Sequence, residues 1–121
     1  MYEYKVMIDR WVDGDTVDVD IDLGFDVVLK KQRVRLHGIN APESRTRDLE
    51  EKEKGLAAKE YCKNFCKEGE AAILKTKTYD ASGKYGRILG EIWSAGEFAD
   101  KSLNEYLIEK GHATEYFGGK R

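Results

Sequence analysis

The stretch Val34-Arg35-Leu36-His37-Gly38-Ile39-Asn40-Ala41-Pro42-Glu43 puts a guanidinium on a strand-like run and a carboxylate on the loop that follows. Val34 and Leu36 alternate with Arg33 and Arg35, and the segment from Gly38 to Pro42 ends the pattern. Catalytic groups tend to sit at such junctions, where a loop leaves a rigid sheet. Upstream, Asp13-Gly14-Asp15-Thr16 supplies two carboxylates around a tight turn. Downstream, Lys84-Tyr85-Gly86-Arg87 supplies a second guanidinium beside a lysine and a ring. A cation site, a base and two arginines make a set suited to hydrolysis of a phosphodiester.

Each of these residues also has a plainer role. Asp13 and Asp15 flank a glycine, as in an ordinary Asp-Gly turn, yet oxygen ligands on a tight turn also suit calcium or magnesium. Asp15 shares strand parity with Val17 and Val19, so it faces the inside or mouth of a barrel, where a carboxylate needs a partner or a cation. Glu43 after Pro42 could cap a helical segment, or it could act as a general base on a water in line with phosphorus. Arg35 and Arg87 could be strand-surface residues, but guanidinium forks also match phosphate oxygens and stabilise the charge that builds at phosphorus. Lys84 and Tyr85 could form a polar turn, or meet a phosphate and stack on a base of single-stranded nucleic acid. Asp18, Asp20 and Asp22 imitate a calcium loop, but a glycine at the seventh position and Leu29 at the twelfth break the pattern. They are expected to form a solvated strand face.

The elements that must position these groups follow from periodicity. Tyr2 to Val12 and Thr16 to Asp22 alternate as strands, with Val17, Val19 and Ile21 on one face of the second. Gly24 permits a turn, Phe25 to Lys30 is extended, Lys30-Lys31 is expected to be a charged turn, and Gln32 to Gly38 forms a third strand. Asp48 to Lys67 then changes period. Leu49, Leu56, Tyr61 or Ala57, Phe65 and the cysteines fit one apolar helix face, with acids in the first turn and Gly69 as the stop. Ala71 to Thr78 and Arg87 to Trp93 are the fourth and fifth strands, separated by a polar turn at Tyr79 to Gly86. Asp100 is expected to cap a second helix, Lys101 to Lys110, closed by Gly111. Three strands, a helix, two strands and a helix predict a mainly β chain with α (α+β): a five-stranded OB-fold barrel with a helix between strands three and four.

Bulk composition narrows the field. The 121 residues predict one domain spanning 1–121, with a single modest core. The net charge of -2 makes any nucleic-acid contact depend on a local patch. No apolar run approaches the roughly 20 residues that span a bilayer, and the N-terminal alternation lacks the form of an export signal. A location inside a cell, or a phage origin, is expected. Cys62 and Cys66 are the only cysteines, too few for a disulfide scaffold or a zinc site, and are expected to be free buried thiols.

Taken together, Val12-Asp-Gly-Asp-Thr-Val17, Val34-Arg-Leu to Ala41-Pro-Glu43, Lys84-Tyr-Gly-Arg87 and a helix ending in Gly111-His-Ala resemble the thermonuclease, or staphylococcal-nuclease-like, family. The resemblance runs from about Val6 to Ala113 and implies an OB barrel with calcium-dependent hydrolysis of DNA or RNA. It implies that Asp15, Asn40 and the Ala41 carbonyl hold the ion, with Asp13 and Thr16 behind them. Glu43 would be the base, Arg35 and Arg87 the phosphate-stabilising pair, and Lys84 and Tyr85 nucleotide contacts. The expected partner is single-stranded DNA or RNA, and the expected state is a monomer. Asn40 stands where the family carries an aspartate, and Ala41 where threonine is usual. One negative charge is therefore missing, and weaker calcium binding is expected. A nucleic-acid-binding module without strong catalysis is the alternative.

Overall fold

A computed structural model describes residues 2–80, 87–96 and 100–116, with the main chain alone at 78–80 and 87. In chain order the elements are β1 (Glu3–Asp13), β2 (Thr16–Gly24), β3 (Val27–Leu36), β4 (Ile39–Asn40), α1 (Leu49–Phe65), β5 (Ala71–Asp80), β6 (Arg87–Ser94), α2 (Leu103–Glu109) and β7 (Thr114–Glu115). Five strands close into a barrel in the order β1-β2-β3-β6-β5, and β4 pairs with β7 beside it. All barrel pairings are antiparallel except β3–β6, which is parallel and runs only from Val34↔Ile88 to Leu36↔Gly90. Strand order and helix placement are those of an OB-fold.

The inward parity of each strand supplies the core. Val6 and Ile8, Val17, Val19 and Ile21, Val34 and Leu36, Ala72 and Leu74, and Ile92 are all buried. Alternation at period two sends these side chains into the barrel and their neighbours out. Fully burying an aliphatic side chain of this size stabilises by about 1.5–3 kcal/mol. The outward Asp18–Asp22 face is neutralised by its own neighbours. Arg33 donates to Asp18 at 2.9 and 3.2 Å, and Lys30 lies 3.4 Å from Asp20. The face points outward, as expected, and in addition Asp18 and Asp20 are ion-paired.

Four local expectations are corrected. Lys30-Lys31 is no turn: β3 is continuous through it, and the register against β2 slips between Val19↔Gln32 and Ile21↔Leu29. The pair forms a bulge opposite Asp20, with Lys31 at φ 52° and its N–H donating to Asp20 at 2.9 Å. That bond, ahead of the neighbouring lysines, holds the Asp20 carboxyl below its usual range. The actual turn is at Phe25-Asp26, both at positive φ, as a two-residue hairpin turn requires. Next, β5 extends to Asp80, so Tyr79 and Asp80 belong to a strand. Third, the helix cap is Ser102 rather than Asp100: its side chain accepts from Glu105 N at 3.2 Å, and α2 starts at Leu103.

The fourth correction concerns α1. Asp48 caps it, accepting from Glu50 N and Glu51 N. Its buried residues are Gly55, Ala58 and Cys62, while Leu49 and Leu56 are exposed. Tyr61, Phe65 and the cysteines pack on the core as expected, and the helix meets the turn through its small residues because main chain lies beneath it there. A Cβ on Gly14 would fall 2.7 Å from Ala58 Cβ, and the Cys62 thiol reaches Gly14 O at 3.6 Å. Both cysteines are free and buried, as expected. At the helix end, buried Trp11 donates through Nε1 to Cys66 O at 2.9 Å. Among the described residues no helix is long and apolar enough to cross a membrane.

Candidate active site

The Asp13-Gly14-Asp15 turn joins β1 to β2, and the loop after β4 folds against it. Asp15 is buried at 5 % exposure, and its carboxylate is aimed by three donors. Oδ1 accepts from Thr16 Oγ1 at 3.0 Å. Oδ2 accepts from Ala41 N at 3.0 Å and from Arg35 Nη2 at 3.3 Å. Arg35 reaches it because Thr16 and Arg35 are register partners across β2 and β3. Main chain reinforces the link, with Leu36 N donating to Asp15 O at 2.8 Å. The expected inward direction of Asp15 is therefore observed, with a guanidinium beside it.

Asp13 performs a parallel task on the other side of Gly14. Its Oδ1 accepts from Ser44 N at 3.0 Å and from Ser44 Oγ at 2.6 Å. The loop is thus tied to the turn at Ala41 by Asp15 and at Ser44 by Asp13, and Glu43 lies between the two ties. Glu43 itself is exposed, and among the described residues its carboxylate makes no hydrogen bond or ion pair. A solvent-facing carboxylate on a fixed main chain can accept a proton from water.

The other expected residues are placed as follows. Arg87 opens β6, where the next residues, Ile88 and Leu89, pair with Val34 and Arg35; its main chain thus begins at the strand junction that carries Arg35. Lys84 and Tyr85 lie outside the described residues. Asn40 is exposed in β4, paired with Thr114, and its carbonyl accepts from Thr114 Oγ1 at 3.4 Å. It lines a cavity of about 440 Å³ with Pro42, Lys54, His112 and Thr114, and none of Asp15, Arg35 and Glu43 lines that cavity. No described contact joins the Asn40 side chain to Asp15.

Three positioning groups gave no motif. Ser44 is the hydroxyl that Asp13 holds. Gly55 admits the Glu43–Ser44 main chain against α1, and its only signal was a glycine inside a helical pattern. Asn104, buried on α2 beside Leu103, donates to His37 O at 2.8 Å and Gly90 O at 3.2 Å and accepts from Ile92 N at 3.3 Å. It clamps the β3–β6 junction; its signal was a polar residue between Leu103 and Leu107 on the apolar side of a short helix. The two thiols are chemically quiet. Burial pushes Cys62 far above the ordinary thiol range and Cys66 up to about 11, so neither is a nucleophile at neutral pH.

A hard divalent cation fits this site by donor type. The oxygens at the turn are the buried Asp15 carboxylate, already oriented by its donors, and the main chain of Ala41, while the Asn40 amide lines the neighbouring cavity. Among the described residues no group of three or more His, Cys, Asp or Glu side chains is gathered to hold a metal. Carboxylate and carbonyl oxygens are hard donors, which suit a calcium- or magnesium-type cation better than a transition metal.

A closed OB barrel with an acidic β1–β2 turn strapped to the loop after β4 defines the class. Comparison with known proteins narrows it: residues 33–121 match the family model described as staphylococcal nuclease homologue, and the chain belongs to that family. It is 29% identical over 120 residues to Endonuclease YhcR of Bacillus subtilis, covering 95% of this chain and 9% of that protein. It is 37% identical over 93 residues to the probable staphylococcal-like nuclease CAN1 of Oryza sativa, covering 77% of this chain and 24% of that protein. It is 29% identical over 111 residues to the Thermonuclease of Staphylococcus intermedius, covering 92% and 59% respectively. The chain thus spans less than two thirds of each of these relatives.

Proposed function

We propose that this domain is a metal-dependent nuclease that hydrolyses phosphodiester bonds in DNA or RNA, single strands preferred. The observation that carries the reading is the double strap: Asp15 to Ala41 and Arg35, Asp13 to Ser44, with Glu43 held between. Relatives named endonuclease and thermonuclease support it.

In this mechanism Arg35 and Arg87 bind the non-bridging oxygens of the scissile phosphate and hold the negative charge that builds as phosphorus gains a fifth ligand. Arg35 approaches this task already oriented by Asp15. Glu43 accepts a proton from the attacking water; the new P–O bond forms from the water oxygen while the bond to the leaving oxygen breaks with its electron pair. Lys84 and Tyr85 contact the adjoining nucleotide. Asp15, Asn40 and the Ala41 carbonyl would hold calcium, which when bound polarises the phosphate and offsets charge on it. Asp13 and Thr16 act from behind, through Ser44 and through the Asp15 carboxylate respectively.

The deciding assay incubates purified protein with single-stranded DNA and RNA across a calcium series, with chelator and Glu43→Gln as controls. Cleavage that rises with calcium and is lost in both controls is the expected result. No cleavage, with binding retained and lost in Arg35→Ala, would replace the nuclease by a binding module.

A further inference from the structure

Glu43 presents an exposed side chain that no other described side chain touches by hydrogen bond or ion pair. Its location is therefore set through its own peptide. Two features grip that peptide from opposite sides. Ser44, at 4 % exposure, is held by Asp13 through both its N–H and its hydroxyl, and the hydroxyl also lies 3.4 Å from Val12 O. On the far side α1 brings Gly55 against the same peptide. A Cβ there would fall 2.5 Å from Glu43 C and 2.7 Å from Ser44 N, and closer still to the Glu43 carbonyl oxygen. Those are main-chain atoms, so no side-chain rotation relieves the overlap. Glycine inside a helix is destabilising relative to alanine. Here that cost accompanies an approach no other residue permits.

We infer that Asp13, Ser44 and Gly55 are positioning residues for the Glu43 carboxylate, acting on its main chain from the turn and from the helix. The inference rests on Glu43 being the base. Any side chain at position 55 drives the Glu43–Ser44 peptide off the helix by about 1 Å, and a displacement of that size at a reacting group can cost roughly 100-fold in rate. Asp13 acts as an acceptor for two donors, a role that an amide oxygen fills equally well. Its negative charge is not what the contact needs.

The test measures kcat and KM on single-stranded DNA at saturating calcium, with thermal melting alongside. Gly55→Ala is expected to lower kcat about 100-fold with KM within about threefold, since the phosphate-binding arginines stand on β3 and β6. Should Gly55→Ala fail to fold, the pair at position 13 decides. Asp13→Ala is expected to lower kcat at least tenfold, and Asp13→Asn to keep it within about twofold of the unsubstituted protein. Two outcomes overturn the positioning role while leaving the base in place: kcat unchanged in Gly55→Ala and Asp13→Ala, or Asp13→Asn as damaged as Asp13→Ala. If Glu43→Gln cleaves as fast as the unsubstituted protein, the base assignment fails first and this inference falls with it.

Discussion

Asn104→Ala offers a direct measure of what holds the β3–β6 junction together. The side chain bridges α2 to both strands of the single parallel pairing: His37 O follows β3, while Gly90 O and Ile92 N belong to β6. Asn104 is 4 % exposed, and its bonds to Gly90 O and Ile92 N are buried. Each is worth about 1 kcal/mol net, and truncation also strands the buried Ile92 N–H, so the expected loss is about 3–4 kcal/mol. Gly90 O keeps a second donor, His37 N at 2.8 Å, which holds the figure at the lower end. For a domain of this length the loss corresponds to a fall in Tm of about 12–16 °C. Urea unfolding followed by tryptophan fluorescence gives the free energy directly, with Trp11 in the core as the reporter. Asn104→Asp sharpens the test. It keeps one acceptor for Ile92 N but turns a second oxygen toward two carbonyls, so it should be worse than alanine at neutral pH and recover as the solution is acidified. A loss below about 1 kcal/mol in Asn104→Ala would refute the clamp.

Two further outcomes are expected. Asn40→Asp adds a formal charge at the proposed ligand position and should tighten calcium at least severalfold in isothermal titration; unchanged or weaker affinity would remove position 40 from the ligand set. The thiols give a pH dependence with a defined sign. Burial holds protons on folded Cys62 and Cys66 above the ordinary thiol value of about 8.5, so the folded chain binds more protons than the unfolded one as the solution turns alkaline. Their contribution is whole below about pH 8.5 and drains away as pH rises toward 11 and beyond, with Tyr61, also raised by burial, adding in the same direction above its ordinary range. Cys62→Ala should flatten the alkaline limb of the urea-midpoint profile, and an unchanged limb would mean that this thiol does not govern it.

The barrel was legible because its inward residues alternate. Val17, Val19 and Ile21 could face only one side of a strand, and Asp15 shares their parity. What stayed hidden depended on partners far along the chain. Lys30-Lys31 looks like a turn because two charged residues with one at positive φ read the same in a bulge as in a reversal; only the strand opposite decides. Part of the α1 face was misassigned for a similar reason. Tyr61, Phe65 and the cysteines do face the core, but Leu49 and Leu56 do not, because near the turn and the Glu43–Ser44 peptide main chain lies under the helix and Gly55, Ala58 and Cys62 fit against it. At β4 and β7, two residues each, there is no period to detect. In the candidate site, Asp15, Arg35 and Glu43 announced themselves by charge, whereas Ser44 and Asn104 act through bonds spanning 31 and 67 positions.

The parallel seam between β3 and β6 also orders events during folding. Hairpin pairings such as β1–β2 and β2–β3 join neighbours in the chain and need little loop closure, but Val34 meets Ile88 only after α1 and β5 have been traversed. Closing so long a loop is entropically late. A nascent chain released from the ribosome as far as β5 would hold the acidic turn, Arg35 and Glu43 on an open sheet. The second arginine and the Asn104 clamp arrive afterwards, so catalytic competence should appear with the last contacts to form.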